Sequence, residues 1–337
     1  MKKGWTSLIA LLLALSLVAC GNQVNQETGS NNVEASENEQ PAQEAEGTTA
    51  EEEASSQTIY PLTLQDATGE SFTFDQAPQR IVSTSPSETE ILFALGLEDQ
   101  VVGVSDYDNY PSEALDKPKV GGVVKPNEEA IIAAEPDLVI TGISMKQQVV
   151  DQLRSRDLKL FKFEPNHIGD ILTHIETIGK ITNRQAEAAA LVEEMKADIQ
   201  LVQDAVSTVK PEDRKKVYIE FSKGWTVGQG EFMHELITLA GGINIAADME
   251  GWNQINEEKI IQDNPEVILY NLGVTDEESG ETLAQMIRKR SGWDAIQAIQ
   301  DDALIGIEGD LISRPGPRVT QGLLAIAKGI YPDLVFE

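Results

Sequence analysis

The chain has 337 residues, with 56 Asp and Glu against 26 Lys and Arg, and a formal net charge of −30 at pH 7. That balance argues against nucleic acid and anionic lipid surfaces as partners, because both need basic patches, and it leaves a small ligand in a cleft open. The length allows one large domain or two of ordinary size, and the single cysteine, Cys20, has no partner for an intramolecular disulfide.

Met1-Lys2-Lys3 precedes an apolar run from Leu8 to Val18 and then Leu17-Val18-Ala19-Cys20-Gly21. A charged start and a short apolar core predict a secretory signal over 1–19. The run is shorter than the roughly 20 apolar residues of a comfortable membrane span. The small residues before Cys20 resemble the lipobox of bacterial lipoproteins, which implies cleavage before Cys20 and lipidation there. Several acyl chains would hold the protein firmly where one binds weakly. From 20 to 57 the chain is polar and acidic. Nine acids fall between Glu27 and Glu53 with no Lys or Arg, and no aromatic residue occurs there. Such a segment cannot bury enough apolar surface to offset its ordering entropy, so a self-repelling tether is predicted.

A first α/β lobe is predicted over 58–182. Pro61 to Phe74 alternates around Asp66-Ala67-Thr68-Gly69, a hairpin signal. Arg80 to Ser83 reads as the first core strand. Ser85-Pro86-Ser87 then opens a helix that closes at Gly96, with a Ser cap and Pro in the first turn. Gln100 to Ser105 is a second strand, and Gly121-Gly122 marks a loop. Asn127-Glu128-Glu129-Ala130-Ile131-Ile132 through Pro136 into Asp137-Leu138-Val139-Ile140 reads as an Asn-capped helix, a Pro stop and a buried strand. Gln147 to Arg156 is helical and Lys159 to Phe163 a strand. Alternating strands and helices imply a mostly parallel sheet covered on both faces.

The same unit recurs at Asn256-Glu257-Glu258-Lys259-Ile260-Ile261, through Pro265 into Glu266-Val267-Ile268-Leu269, at a constant offset. The repeat predicts a second, similar lobe over 211–337. Between the lobes, 183–210 lacks Gly and carries apolar residues at near-helical spacing, which predicts one connecting helix about 40 Å long. The second lobe begins with strand Lys216 to Phe221 and helix Phe232 to Ala240. After the repeat come helices around Leu283 to Arg290 and Trp293 to Ile299, strand Ala303 to Ile307, and a last helix around Arg318 to Ile330. The fold class expected is α/β: two lobes with mostly parallel sheets, joined by a single long α-helix.

Taken in order, Arg80-Ile81-Val82-Ser83 through Ser85-Pro86-Ser87, Val102-Gly103-Val104-Ser105-Asp106-Tyr107, Pro136-Asp137-Leu138-Val139-Ile140 and Pro317-Arg318 resemble the substrate-binding lipoproteins of bacterial ABC importers for iron-siderophores and vitamin B12. The resemblance covers 61–335. It implies a ligand cleft between the two lobes, in an extracytoplasmic, lipid-anchored protein that captures a metal chelate, siderophore or corrinoid, and delivers it to an ABC permease with its ATPase. A monomer with no cofactor and no catalysis is expected. Iron(III)-siderophore is placed ahead of cobalamin, because Val123 and Gly142 stand where the vitamin B12 binders carry tryptophan. A tethered sensor or adhesion module that reuses the fold is the alternative from another class.

Tyr107, Tyr110, Trp225, Trp252, Arg314 and Arg318 are the candidate ligand-binding residues. Aromatic faces suit a bulky chelate, and arginine pairs carboxylate or phosphate in a planar fork. The resemblance assigns Tyr107 and Trp252 to the cleft; each of the six could instead serve packing. It also assigns Glu129 and Glu258 to docking on permease arginines, one from each lobe. His167, His174 and His234 read as surface helix residues rather than metal ligands. No serine elbow, phosphate loop or dinucleotide fingerprint is present.

Overall fold

The computed structural model describes residues 57–336, which all belong to one compact unit, Thr48–Glu337. The signal, the lipidation site at Cys20 and nearly all of the tether lie outside the described residues. The first elements, β1 (Leu62–Gln65) and β2 (Ser71–Phe74), form an antiparallel hairpin in which Leu62 opposes Phe74 and Gln65 opposes Ser71. Asp66 closes the turn by accepting from the backbone N–H groups of Thr68 at 2.9 Å and Glu70 at 3.2 Å. The same carboxylate accepts from the Lys162 N–H and pairs with Arg154, which fastens the hairpin to the first lobe.

That lobe continues through β3 (Ile81–Ser83), α1 (Pro86–Ala94), β4 (Val101–Gly103), α2 (Glu128–Ala133), β5 (Leu138–Thr141), α3 (Gln147–Arg154) and β6 (Leu160–Lys162). Its four strands are all parallel in the order β4-β3-β5-β6. Both faces are covered, so β3, β5 and β6 are buried along their whole length.

Two helices follow, α4 (Ile168–Thr182) and α5 (Gln185–Ser207). Asn183 takes the left-handed conformation with φ +57° and ends α4, a cap that Asn tolerates better than most residues. The connecting helix therefore starts two residues later than its composition suggests and is 23 residues long, about 35 Å. It buries Ala188, Val192, Met195, Val202 and Val206. These join one apolar core with Ile171, Ile175 and Ile178 of α4 and with Leu323 and Ile326 of the last helix. A side chain of this size contributes about 1.5–3 kcal/mol when fully buried, so the helix is bonded along its length to both lobes.

The second lobe runs β7 (Lys216–Glu220), β8 (Trp225–Val227), α6 (Phe232–Leu239), β9 (Ile243–Asn244), β10 (Trp252–Gln254), α7 (Glu257–Asp263), β11 (Val267–Asn271), α8 (Leu283–Arg288), α9 (Gln297–Gln300), β12 (Leu304–Ile307), α10 (Gly309–Ser313) and α11 (Val319–Ile330). Its sheet is parallel in the order β9-β7-β11-β12. This is the order of the first sheet, with β7, β9, β11 and β12 in the places of β3, β4, β5 and β6. The sequence repeat is thus a repeat of structure. Asn127 and Asn256 each cap their helix, accepting from the Ala130 and Lys259 N–H at 3.2 Å. Glu135 and Asn264, directly before Pro136 and Pro265, take φ of +47° and +48°.

Two local expectations change. Trp293 to Ile299 is not one helix: extended Ile296 separates a 3₁₀ turn, Trp293–Ala295, from α9. His174 is not on the surface but 2% exposed, stacked on Phe163 with ring centroids 3.7 Å apart.

Candidate functional site

A hollow of about 550 Å³ opens between the lobes. The first lobe lines it with Ser85, Ser87 and Pro86, which follow β3, with Tyr107 after β4 and with Ile143 and Ser144 after β5; the second lobe contributes Phe221 after β7 and Ser313 to Pro315 after α10. In open parallel sheets, ligands sit in the crevice beyond the carboxyl ends of the strands, and here two such ends face one another.

Tyr107 is 64% exposed and stands on the first lobe's wall. Trp252 is 42% exposed and meets the ring of Phe221 edge-on, with centroids 5.4 Å apart. Trp225 lies opposite Gln254 in the short antiparallel ribbon of β8 and β10, while Trp252 lies opposite Val227. Side chains two apart on a strand share a face, so Trp225 and Trp252 are diagonal neighbours on one face of the ribbon. Phe221, which residue type and position did not single out, links this pair to the cleft. Lys125 also lines the cleft and carries no ion pair with the described residues.

The two arginines have a different setting. Arg314 lines the cleft, yet its guanidinium donates to Glu90 at 2.9 Å and to the Tyr107 carbonyl at 3.3 Å, and it pairs with Asp310 at 3.0 Å. Arg318 donates to both oxygens of Glu90, at 2.9 and 2.7 Å, and lies 4.0 Å over the ring of Tyr110. Glu90 belongs to α1 of the first lobe and is 3% exposed. One buried carboxylate thus takes two cations from the opposite lobe in charge-assisted hydrogen bonds. Asn109 also reaches Asp310 across the gap at 3.0 Å. Tyr110 and Arg318 face a second hollow of about 420 Å³, on the connecting-helix side, with Leu191, Met195 and Asp198. The structure therefore brings Tyr107 and Arg314 into the cleft, sets Trp252 and Trp225 at its rim, and places Tyr110 and Arg318 behind it.

The floor of the cleft hides an acid. Ser85 takes the N-cap position of α1 without a side-chain cap bond; its hydroxyl lies 3.2 Å from that of Ser87, which donates to Glu88 Oε2 at 2.8 Å. Glu88 is fully buried, and burial pushes its carboxyl up to about 7 against the pull of the Ser85 and Ser87 hydroxyls. Its other oxygen has no hydrogen bond among the described residues and lies 3.7 Å from His174 Nε2. Burial pushes His174 down to about 3, so its ring is neutral at pH 7. Gly142 closes over this acid. A Cβ there would lie 2.7 and 2.8 Å from the Glu88 oxygens and 2.8 Å from Ser85 Oγ.

The repeat helices α2 and α7 carry the paired acids. Glu128 pairs with Arg156 at 2.6 Å and accepts from Gln152 at 2.9 Å. Glu257 lies 3.6 Å from Arg290, whose guanidinium is bound to buried Glu220. The second acids, Glu129 and Glu258, are exposed and have no ion pair or side-chain hydrogen bond with the described residues.

Two parallel sheets of the same strand order, one joining helix and a ligand-sized cleft define a two-lobed binding protein. The chain belongs to the periplasmic binding protein family, whose sequence profile matches residues 81–311. An uncharacterized ABC transporter substrate-binding lipoprotein of Bacillus subtilis, YvrC, is 32% identical over 340 residues, 99% of this chain and 98% of its own. A cobalamin-binding protein of Halobacterium salinarum is 30% identical over 278 residues, 81% of this chain and 74% of its own. The crystal structure of a possible iron-binding, periplasmic solute-binding protein of Staphylococcus epidermidis is 30% identical with a TM-score of 0.66, covering 76% of this chain and 100% of that one.

Proposed function

We propose that this chain is the extracytoplasmic substrate-binding protein of an ABC importer, held to the membrane by a lipid on Cys20. It captures an iron(III)-siderophore-type chelate between its lobes as a monomer and hands it to a permease, without catalysis of its own. The observation that carries this reading is the cleft of about 550 Å³. Tyr107 stands on one wall, Phe221 on the other and Trp252 beside it; broad aromatic faces suit a bulky chelate. Cobalamin is the second reading, and the relative from Halobacterium salinarum supports it. Against it stands Glu88, whose carboxylate fills the space into which a side chain at position 142 would grow. A tryptophan there is incompatible with this floor.

Docking to the permease is assigned to Glu129 and Glu258. Each lobe neutralises the first acid of its repeat with its own arginine, Arg156 or Arg290, and leaves the second acid exposed and without an ion pair among the described residues. Two carboxylates on lobes joined by one body engage a permease bivalently, with the second contact forming at high effective concentration. The double variant Glu129→Lys with Glu258→Lys is expected to keep the purified protein's chelate affinity and to abolish uptake by cells. Normal uptake in that variant removes the docking assignment, and lost affinity places the acids at the cleft instead.

A further inference from the structure

Glu88 does not itself hold the chelate in the function just described, yet it is fully buried, lies directly beneath the cleft and has no cation partner among the described residues. The groups facing it are His174 from α4, with neither ring nitrogen hydrogen-bonded, and Asp108 from the loop after β4. Asp108 is held in turn by Ser105 and lies near Lys119. Between Glu88 and the cleft stand Ser87 and Ser85, both of which line the hollow, and the backbone of Gly142.

We propose that Ser85, Ser87 and Glu88 form a proton-responsive floor to the cleft, on which an anionic chelate binds with uptake of one proton from solvent by Glu88. The inference rests on the cleft being the chelate site. The mechanism follows from the direction of two hydroxyls, each of which donates once. With Glu88 ionised, Ser87 donates to the carboxylate, Ser85 donates to Ser87, and the floor offers the ligand lone pairs alone. With Glu88 protonated, its O–H donates to Ser87, Ser87 donates to Ser85, and the Ser85 hydroxyl is released to donate into the cleft. An anion favours the second arrangement twice, through the hydrogen bond it gains and the buried negative charge it no longer meets. A neutral ligand has no such preference. The pKa of Glu88, raised by burial to about 7, puts the exchange in the range where cells live.

The test is isothermal titration calorimetry of the whole protein at pH 6, 7 and 8, each in two buffers of different ionisation enthalpy. The probes are an anionic ferric tricatecholate, a neutral ferric trihydroxamate and cobalamin. For the tricatecholate, proton uptake is expected to rise toward one at the alkaline end, with affinity falling about tenfold per pH unit there. The neutral probes should show neither effect. Glu88→Gln, whose amide donates to Ser87 as the protonated acid does, should bind the tricatecholate with no proton uptake and no pH dependence. A purely packing role would lower affinity equally at all pH values. Tricatecholate binding without proton uptake by the natural protein overturns the proposal and leaves the chelate site standing; that arm needs no variant to fold. Failure of all three probes to bind overturns both, and ¹³C-glutamate resonances of the ligand-free protein then show whether the raised acid is a structural feature alone.

Discussion

Glu88 and His174 oppose one another in the dependence of stability on pH. Glu88 rises from 4.5 to about 7 on folding, so its stabilising contribution is complete below 4.5 and is lost as pH climbs through 7. His174 falls from 6.5 to about 3, so its contribution is complete above 6.5 and is lost as pH falls through 3. The two slopes offset each other between 4.5 and 6.5. Glu88→Gln leaves the histidine slope alone, and its stability relative to the natural protein should improve by roughly 3 kcal/mol between pH 4 and pH 8. Urea unfolding across that range measures it, and parallel pH profiles for the two proteins contradict it. At this scale the sequence was least legible. His174 shares the face of α4 with buried Ile171 and Ile178, so its apolar neighbours carried a signal that its polar type obscured; Phe163, which stacks on the ring, is brought there by the fold. Ser85 and Ser87 read as helix-cap residues by type, and nothing local reveals that Glu88, the next residue, is buried behind them.

At the scale of elements, the repeat was legible because its signals are local. An Asn cap, a Pro stop and a continuous apolar strand are each fixed by neighbours in the chain, and α2 with β5 and α7 with β11 follow them closely. The arginine loop before α11 was not. Arg314 and Arg318 suggest an anion site by residue type, but their partner Glu90 lies 224 and 228 residues away. No spacing rule connects a carboxylate on α1 to that loop. Because Glu90 holds both cations, Glu90→Ala takes from two largely buried guanidiniums their shared buried carboxylate, leaving Arg314 with Asp310 and Arg318 with Glu308 at 4.0 Å. Removing one partner of a buried pair costs about 3–5 kcal/mol. We expect a loss of that size in chemical denaturation, and a loss below about 0.5 kcal/mol in the exposed Glu129→Ala control. A Glu90→Ala protein as stable as the control would show that the bridge does not hold the lobes.

At the scale of the whole molecule, one helix of 23 residues, packed into a core shared by both lobes, restricts how far the lobes can part or close. The bridge from Arg314 and Arg318 to Glu90 adds a second restraint on the same gap. The cleft is therefore largely preformed, as ligand sites commonly are, and its walls expose aromatic faces. The described residues contain three tryptophans: Trp225 and Trp252 beside the cleft, and Trp293 fully buried in the second lobe's own core. A chelate in the cleft should quench the first two and spare the third. The most direct measurement is a fluorescence titration of the purified protein with ferric tricatecholate, ferric trihydroxamate and cobalamin, beside Trp252→Phe. We predict saturable, one-to-one quenching by a ferric chelate, with affinity weakened about threefold or more in Trp252→Phe, which removes part of an aromatic face at the cleft rim. Saturation by none of the three, or quenching that Trp252→Phe leaves unchanged in affinity and amplitude, contradicts it.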